Sequence, residues 1–382
     1  MSTMQAAADT TYTYVDGDEA LGGLVAWMAP AGRVAIDIEA DSLYHYHEKV
    51  CLVQLTVRGR NFLVDPLANL DLGPFAAALA EKTLILHGAD YDLRMLRNSF
   101  AFRPQAGVID TMMAARLLGC ERPGLASLVE EYFGRPFSKS GQKSDWSRRP
   151  LSPAQLHYAV DDTRYLEPLA DRLLAELDRL GRRHWLEQGC EAAVEATAGD
   201  READPDRQWR IKGVWGLTAS QAAFVRELWR WRERESQRAD RPPFKILGDE
   251  TLLALATWAE KHPRASMAHA PRLPRDFRGA RIESLHEAIH KAAGLAPPDW
   301  PNPRPRLSQR RPTPKKGYGR LRDGVAHLAA ALGLEASVIA PRTALEEISR
   351  LRPQDTPSIQ DAGGLLPWQA ELLLPLVRRA LA

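Results

Sequence analysis

The sequence predicts a mixed α/β layer domain, a sheet flanked by helices, followed by one or two small all-α domains. Three observations carry this. Apolar strand patterns come three in a row after residue 33 and then alternate with helical segments. Beyond Trp209 only helical periodicity is found. Pro301 to Arg322 holds five prolines and eight basic residues without one acidic residue, a stretch that reads as an extended linker. The expected division is residues 1–205 for the α/β domain, 206–297 for a helical domain, 298–322 for the linker and 323–382 for a second helical domain.

The elements follow in order. Val34 to Ala40 (VAIDIEA) is a strand, with Val34, Ile36 and Ile38 on one face and Asp37 and Glu39 on the other, because side chains two apart in a strand project the same way. Val50 to Val57 and Asn61 to Pro66 are strands joined by the turn Arg58-Gly59-Arg60, which makes an antiparallel meander. Phe75 to Ala80 is helical, Thr83 to Gly88 is a buried strand, Asp90 to Asn98 is a helix, and Ala106 to Asp110 is a last short strand. Thr111 to Leu118, Leu125 to Phe133 and Pro153 to Leu180 have helical periodicity. The later helical patterns are broken by Pro242-Pro243, Pro263, Pro271 and Pro274.

Composition narrows the class. The chain has 382 residues, enough for two or three domains, and its apolar and charged fractions of 45% and 26% are those of a globular protein. Cys51, Cys120 and Cys190 are far apart and form no metal-type pair, so reduced thiols in a cytoplasmic protein are expected and a zinc site is not. No secretory pattern is visible at the N-terminus and no apolar run is long enough to span a bilayer. Neither a membrane nor an obligate protein partner is called for.

Two carboxylates on one face of a strand repel each other and resist burial unless a cation or proton sits between them. Hard cations such as magnesium or manganese take oxygen ligands, so Asp37 and Glu39 make half a metal site. Two further places offer partners. In HGADYDLRML, Asp92 shares its helical stripe with Met95 and Leu96, whereas Asp90 shares its own with Arg94 and Arg97 and is expected to cap the helix. In YAVDDTRYLEPL, Asp162 lies on the face of Tyr158, Tyr165, Leu166 and Leu169, and Asp161 on the other. Asp37, Glu39, Asp92 and Asp162 are therefore expected to converge on two divalent ions, with the Tyr158 phenol aligning a water.

VAIDIEADSLYHYHEKVCLVQLTV, HGADYDLRML and YAVDDTRYLEPL resemble the three exonuclease motifs of the DEDDy superfamily, and specifically the ribonuclease D family. VIDTMMAARLLG and FSKSGQKSDWSRRPLSPAQLHYA are also similar to that family, and the likeness covers about Val34 to Leu177. The resemblance implies an RNase H-like fold. It also implies metal-dependent removal of nucleotides from RNA 3′ ends as nucleoside 5′-monophosphates, with Asp37, Glu39, Asp92 and Asp162 as ligands of two Mg2+ or Mn2+ ions and Tyr158 beside them. Precursors of tRNA and other small structured RNAs are the expected substrates. Gly216 to Ala256 resembles the HRDC domain, and Gly324 to Ala382 is similar to a degenerate second copy.

Substrate contacts are expected from Gln54, His87, Lys139 and Arg148, with Lys143 and Arg149 in the same polar segment. Arg226, Arg230, Arg234 and Arg238 recur every four residues along one helix, a phosphate-contacting stripe or a solvated face interleaved with Glu227, Glu233 and Glu235. His45 and His47 suit packing or the substrate side better than an oxygen-preferring metal. A DNA-directed exonuclease and a non-catalytic RNA-binding scaffold are the rival readings.

Overall fold

The computed structural model describes residues 11–137, 141–199, 204–271, 273–274, 277–304 and 315–381. Lys139 and the core of the basic proline-rich stretch lie outside the described residues. The chain divides into two compact units, one of residues 1–40, 49–200 and 311–382, the other of residues 41–48 and 201–310.

The first unit is built on six strands: β1 (Tyr12–Val15), β2 (Arg33–Ala40), β3 (Val50–Val57), β4 (Arg60–Val64), β5 (Thr83–Leu86) and β6 (Val108–Asp110). They lie in the order β1-β4-β3-β2-β5-β6. The central β2-β3-β4 meander is antiparallel, while β1, β5 and β6 join as parallel strands at the two sides. The helices are α1 (Asp18–Met28), α2 (Gly73–Ala80), α3 (Asp90–Phe100), α4 (Thr111–Leu118), α5 (Leu125–Phe133), α6 (Pro153–Arg164), α7 (Leu166–Arg179) and α8 (Arg183–Ala198).

Strand alternation sorts side chains into two layers. Val34, Ile36, Ile38, Val53, Leu55, Leu84 and Leu86 pack with Leu21, Leu24, Phe75, Leu79, Leu93 and Leu96 of α1, α2 and α3. On the opposite face, Leu52 and Leu63 meet Ala159 and Val160 of α6, and Ala35 and Ile85 meet Leu166 and Ala170 of α7. Asp37 and Glu39 belong to this second face, under α6.

The structure departs from expectation at three places in this unit. Tyr12–Val15 is an edge strand whose parallel partner β4 lies far along the chain, and α1 carries Gly22-Gly23 in its middle; neither segment has a strong local signature. The helix expected over 153–180 is broken at Tyr165, where α6 ends and α7 begins with Pro168 in its first turn. Asp90, expected to cap α3, is its first helical residue; Ala89 is the cap, and Asp90 pairs with Arg94 at 3.6 Å.

The second unit comprises α9 (Pro205–Gln208), α10 (Ala219–Ala239), α11 (Pro243–Ile246), α12 (Asp249–Lys261) and α13 (Ala280–Ala293). Thr218 and Gln221 form a capping box at the start of α10, and Val225, Leu228 and Trp231 pack on Leu252, Leu255, Leu285 and Ile289. Residues 41–48, between β2 and β3, belong to this unit: His45 Nδ1 lies 2.6 Å from Asp240 Oδ2, and the Tyr46 hydroxyl donates to Glu233 at 3.1 Å.

The C-terminal helices are α14 (Lys315–Leu332), α15 (Ala336–Ile339), α16 (Arg342–Leu351), α17 (Thr356–Gly363) and α18 (Pro367–Leu381). The helix begins at Lys315, so the last eight residues of the expected 298–322 linker are helical. This segment belongs to the first unit: Trp368 of α18 joins Leu117, Leu173, Leu177 and Leu186 in one apolar cluster.

Candidate active site

Local chemistry aims each acidic side chain. Asp37 stands directly opposite Gln54 on the β2-β3 ladder, and a register shift follows between Glu39 and Ala40. Asp92 lies in the first turn of α3, after a junction in which Gly88 adopts φ +84 and Asp110 accepts the N–H groups of Gly88 and Ala89 at 3.0 and 2.9 Å. The same Asp110 carboxylate caps α4 by accepting from Met112 and Met113. Asp162 is carried by α6, whose start is set by the Ser152/Gln155 capping box and Pro153.

Ligand oxygens of Asp37, Glu39 and Asp162 all lie within 4.8 Å of one another. Asp92 is outside that trio but 6% exposed, and its strongest electrostatic neighbour is Asp37, followed by Asp110 and Asp162. Asp161 turns away, paired with Arg164 at 2.9 Å. The Tyr158 hydroxyl hydrogen-bonds Asp162, one turn further along α6.

Burial pushes the Asp37 carboxyl up to about 7. Burial, then the charge of Asp37, pushes Asp162 up to about 9. Glu39 and Asp92 are held well above the carboxylate range by burial first and by the neighbouring acids second. Tyr158 is raised as well, by burial and then by Asp162, Glu39 and Asp37, so the phenol keeps its proton and serves as a donor. The donor set is all oxygen, and Asp162 Oδ2 is buried without a hydrogen-bond partner among the described residues. Such a site fits hard divalent cations, which would displace the protons.

The sign of the resulting pH dependence is fixed. Below about pH 4 folded and unfolded chains both hold these protons. As pH rises from there through the folded values of about 7 and 9, the unfolded chain ionises first, unfolding releases protons, and stability falls. In chelator, urea denaturation at about pH 5, 7 and 9 should show this loss, and Asp162→Asn should flatten it. A divalent cation should reverse it at neutral and alkaline pH.

The acids open into a cleft of about 310 Å³ lined by Asp37, His87, Met112, Phe137, Tyr158 and Asp162, among others. His87 is thus at the cleft; its Nδ1 lies 2.9 Å from Thr111 Oγ1, and burial lowers its pKa to about 4, so the ring is neutral. Tyr158 is wedged by aromatic rings, Phe137 at 6.5 Å and Trp146 at 6.1 Å.

Other expected substrate residues are placed differently. Gln54 is fully buried and therefore has no route to a substrate. Arg149 is committed to Asp65, at 2.5 and 2.6 Å, and to the carbonyls of Cys51, Trp146 and Arg148. Arg148 is at the surface, paired with Asp145 at 3.0 Å. In the second unit Arg226 and Arg230 approach the buried Glu227 at 3.5 and 2.8 Å, and Arg238 pairs with the buried Glu235 at 2.6 Å. Two of the interleaved glutamates are thus interior partners rather than a solvated face; Arg234 is exposed.

Two residues that sequence reasoning missed shape the site. Asp110 is readable in hindsight as an aspartate before a helix start in VIDTMM. Gly141 gives no such sign: a Cβ there would lie 2.4 Å from Tyr158 Cγ and 2.6 Å from Cδ1.

Residues 12–178 match the 3′-5′ exonuclease family, and residues 221–265 match the HRDC domain. The chain is 31% identical to ribonuclease D of Acidiphilium cryptum over 94% of its own length and 90% of the relative's. Among solved structures it is similar to a protein from Bifidobacterium adolescentis, with TM-score 0.81, 25% identity and coverage of 97% and 96% of the two chains. It is also similar to Escherichia coli RNase D, described as an exoribonuclease involved in structured RNA processing, with TM-score 0.72, 25% identity and coverage of 97% and 99%. With an acidic cluster on the sheet face below α6, and relatives matched over nearly their whole length, the chain belongs to the ribonuclease D family.

Proposed function

We propose that this protein removes nucleotides one by one from the 3′ ends of small structured RNAs, tRNA precursors among them, and releases nucleoside 5′-monophosphates. Membership of the ribonuclease D family makes it a 3′-5′ exoribonuclease. The observation that carries the reading is the trio Asp37, Glu39 and Asp162, held within 4.8 Å beside the Tyr158 phenol. Asp92 completes the proposed ligand set, for magnesium or manganese. When bound, a pair of such ions neutralises the carboxylates, activates a water and stabilises charge on the departing 3′ oxygen.

The rest falls to the chain. The protonated Tyr158 orients the water without deprotonating it. Phe137, Met112 and Leu125 offer the terminal nucleotide an apolar wall, and neutral His87 offers it a ring nitrogen without adding charge. We assign residues 1–205 to catalysis, 206–297 to the HRDC domain, with exposed Arg234 available to RNA phosphates, and 323–382 to a second HRDC-like unit. Cys51, Cys120 and Cys190 stand outside any disulfide, which supports a cytoplasmic setting. No described helix is long and apolar enough to cross a membrane.

The test is a 5′-labelled, 3′-extended tRNA incubated with magnesium, manganese or chelator beside a matched DNA. Stepwise shortening of the RNA from its 3′ end, only with metal, supports the reading; internal cuts, or equal activity on DNA, contradict it. Gly141→Ala supplies a second check. The added methyl meets the Tyr158 ring root, which cannot swing away as a flexible chain end does, so single-turnover cleavage should fall by about a hundredfold while manganese affinity is unchanged.

A further inference from the structure

Gln54 has no ordinary reason to be where it is. It is 0% exposed, its neighbours on that sheet face are the buried, apolar Leu52 and Leu63, and neither its Nε2 nor its Oε1 has a hydrogen-bond partner among the described residues. Buried amides are almost always bonded at one end or both, so each unpaired one asks for an explanation. The register supplies a neighbour: Gln54 pairs directly with Asp37, which places the two side chains side by side on the face below α6. One step along the ladder, the Thr56 hydroxyl lies 2.9 Å from that of Thr163, the residue after Asp162. Gln54 is therefore next to the stretch of α6 that carries Asp162, whose Oδ2 is also buried without a hydrogen-bond partner among the described residues, as is Nε1 of Trp146 in the cluster of Leu52 and Leu63.

We infer that Gln54 is a positioning residue for the metal ligands: its amide, unbonded among the described residues, stands directly beside Asp37 and near Asp162, and holds those carboxylates in orientation when they close on cations. This rests on the metal-site reading above. It differs from a substrate contact, because full burial keeps Gln54 from RNA, and from plain packing, because an apolar residue of similar volume would pack there without leaving two polar atoms unpaired. Partners that orient ligand carboxylates are worth about 10- to 100-fold in metal affinity.

The experiment uses the full chain, Gln54→Leu and Gln54→Met, with Mn2+ alone as probe. In chelator both variants should melt at or above the wild-type temperature, since an unpaired buried amide has gone. Their Mn2+ affinity by calorimetric titration should nevertheless fall by about 10- to 100-fold. Excess Mn2+ should restore the cleavage rate, with KM for RNA unchanged. Unchanged Mn2+ affinity would make Gln54 a packing residue, and a melting temperature well below wild type would make it a structural one; either overturns the inference. Wild-type chain that binds no Mn2+ would instead remove the metal-site reading beneath it.

Discussion

Asp37→Asn is expected to lower single-turnover RNA cleavage by at least about a thousandfold, the equivalent of several kcal/mol of transition-state stabilisation. The size follows from position. Asp37 is the hub of the acidic group: its charge is among those that raise Glu39, Asp92 and Asp162. A residue next to all the others would share in holding whatever cations the site takes. The fold should not suffer, because the amide keeps the shape of the carboxylate and removes the group whose charge its neighbours resist. In chelator the variant should therefore melt no lower than wild type. Loss of cleavage with an intact melting transition is the signature to seek; retained cleavage would remove Asp37 from the chemistry.

Trp368→Ala should destabilise the first unit by about 3 to 5 kcal/mol, read by chemical denaturation. Trp368 is 3% exposed and stacks on Trp185 of α8, with ring centroids 4.4 Å apart and planes at 14°. Its backbone N–H donates to Gln188 at 3.1 Å, and nearby the buried Arg182 donates to the carbonyls of Leu117 and Leu332 at 2.7 and 2.6 Å. Helix α18 thus closes an apolar cluster that also holds α4 and α7. Cutting the chain after Arg207 removes the HRDC domain and everything beyond it. It would in addition strip this cluster of its cover, so a fall in cleavage of short oligonucleotides after such a cut would report lost packing. Removing RNA-contacting side chains one at a time is the cleaner dissection.

What was legible follows from periodicity. The two faces of VAIDIEA could be read because a half-buried strand alternates, and the orientations of Asp92 and Asp162 could be read because a helix repeats every 3.6 residues. Each inward aspartate shares a stripe with apolar residues, while Asp90 and Asp161 pair with arginines. Features that depend on distant partners were not readable. Tyr12–Val15 becomes a strand only through Asn61–Val64, and Arg149 is neutralised by an Asp65 that is far away in sequence. The amphipathic reading of α10 failed at Glu227 and Glu235 because Lys291 and Arg281, both on α13, reach in to pair with them. Gln54 was read as a substrate residue because it is a polar residue on an apolar strand, and only the folded structure shows that it is fully buried.

The central claim is that four acidic groups jointly hold two cations. Anomalous diffraction from crystals soaked in manganese tests it most directly. The account predicts two manganese peaks about 3.5 to 4 Å apart among Asp37, Glu39, Asp92 and Asp162. No peak at these residues, or ions that leave Asp92 or Asp162 without a metal neighbour, would contradict it.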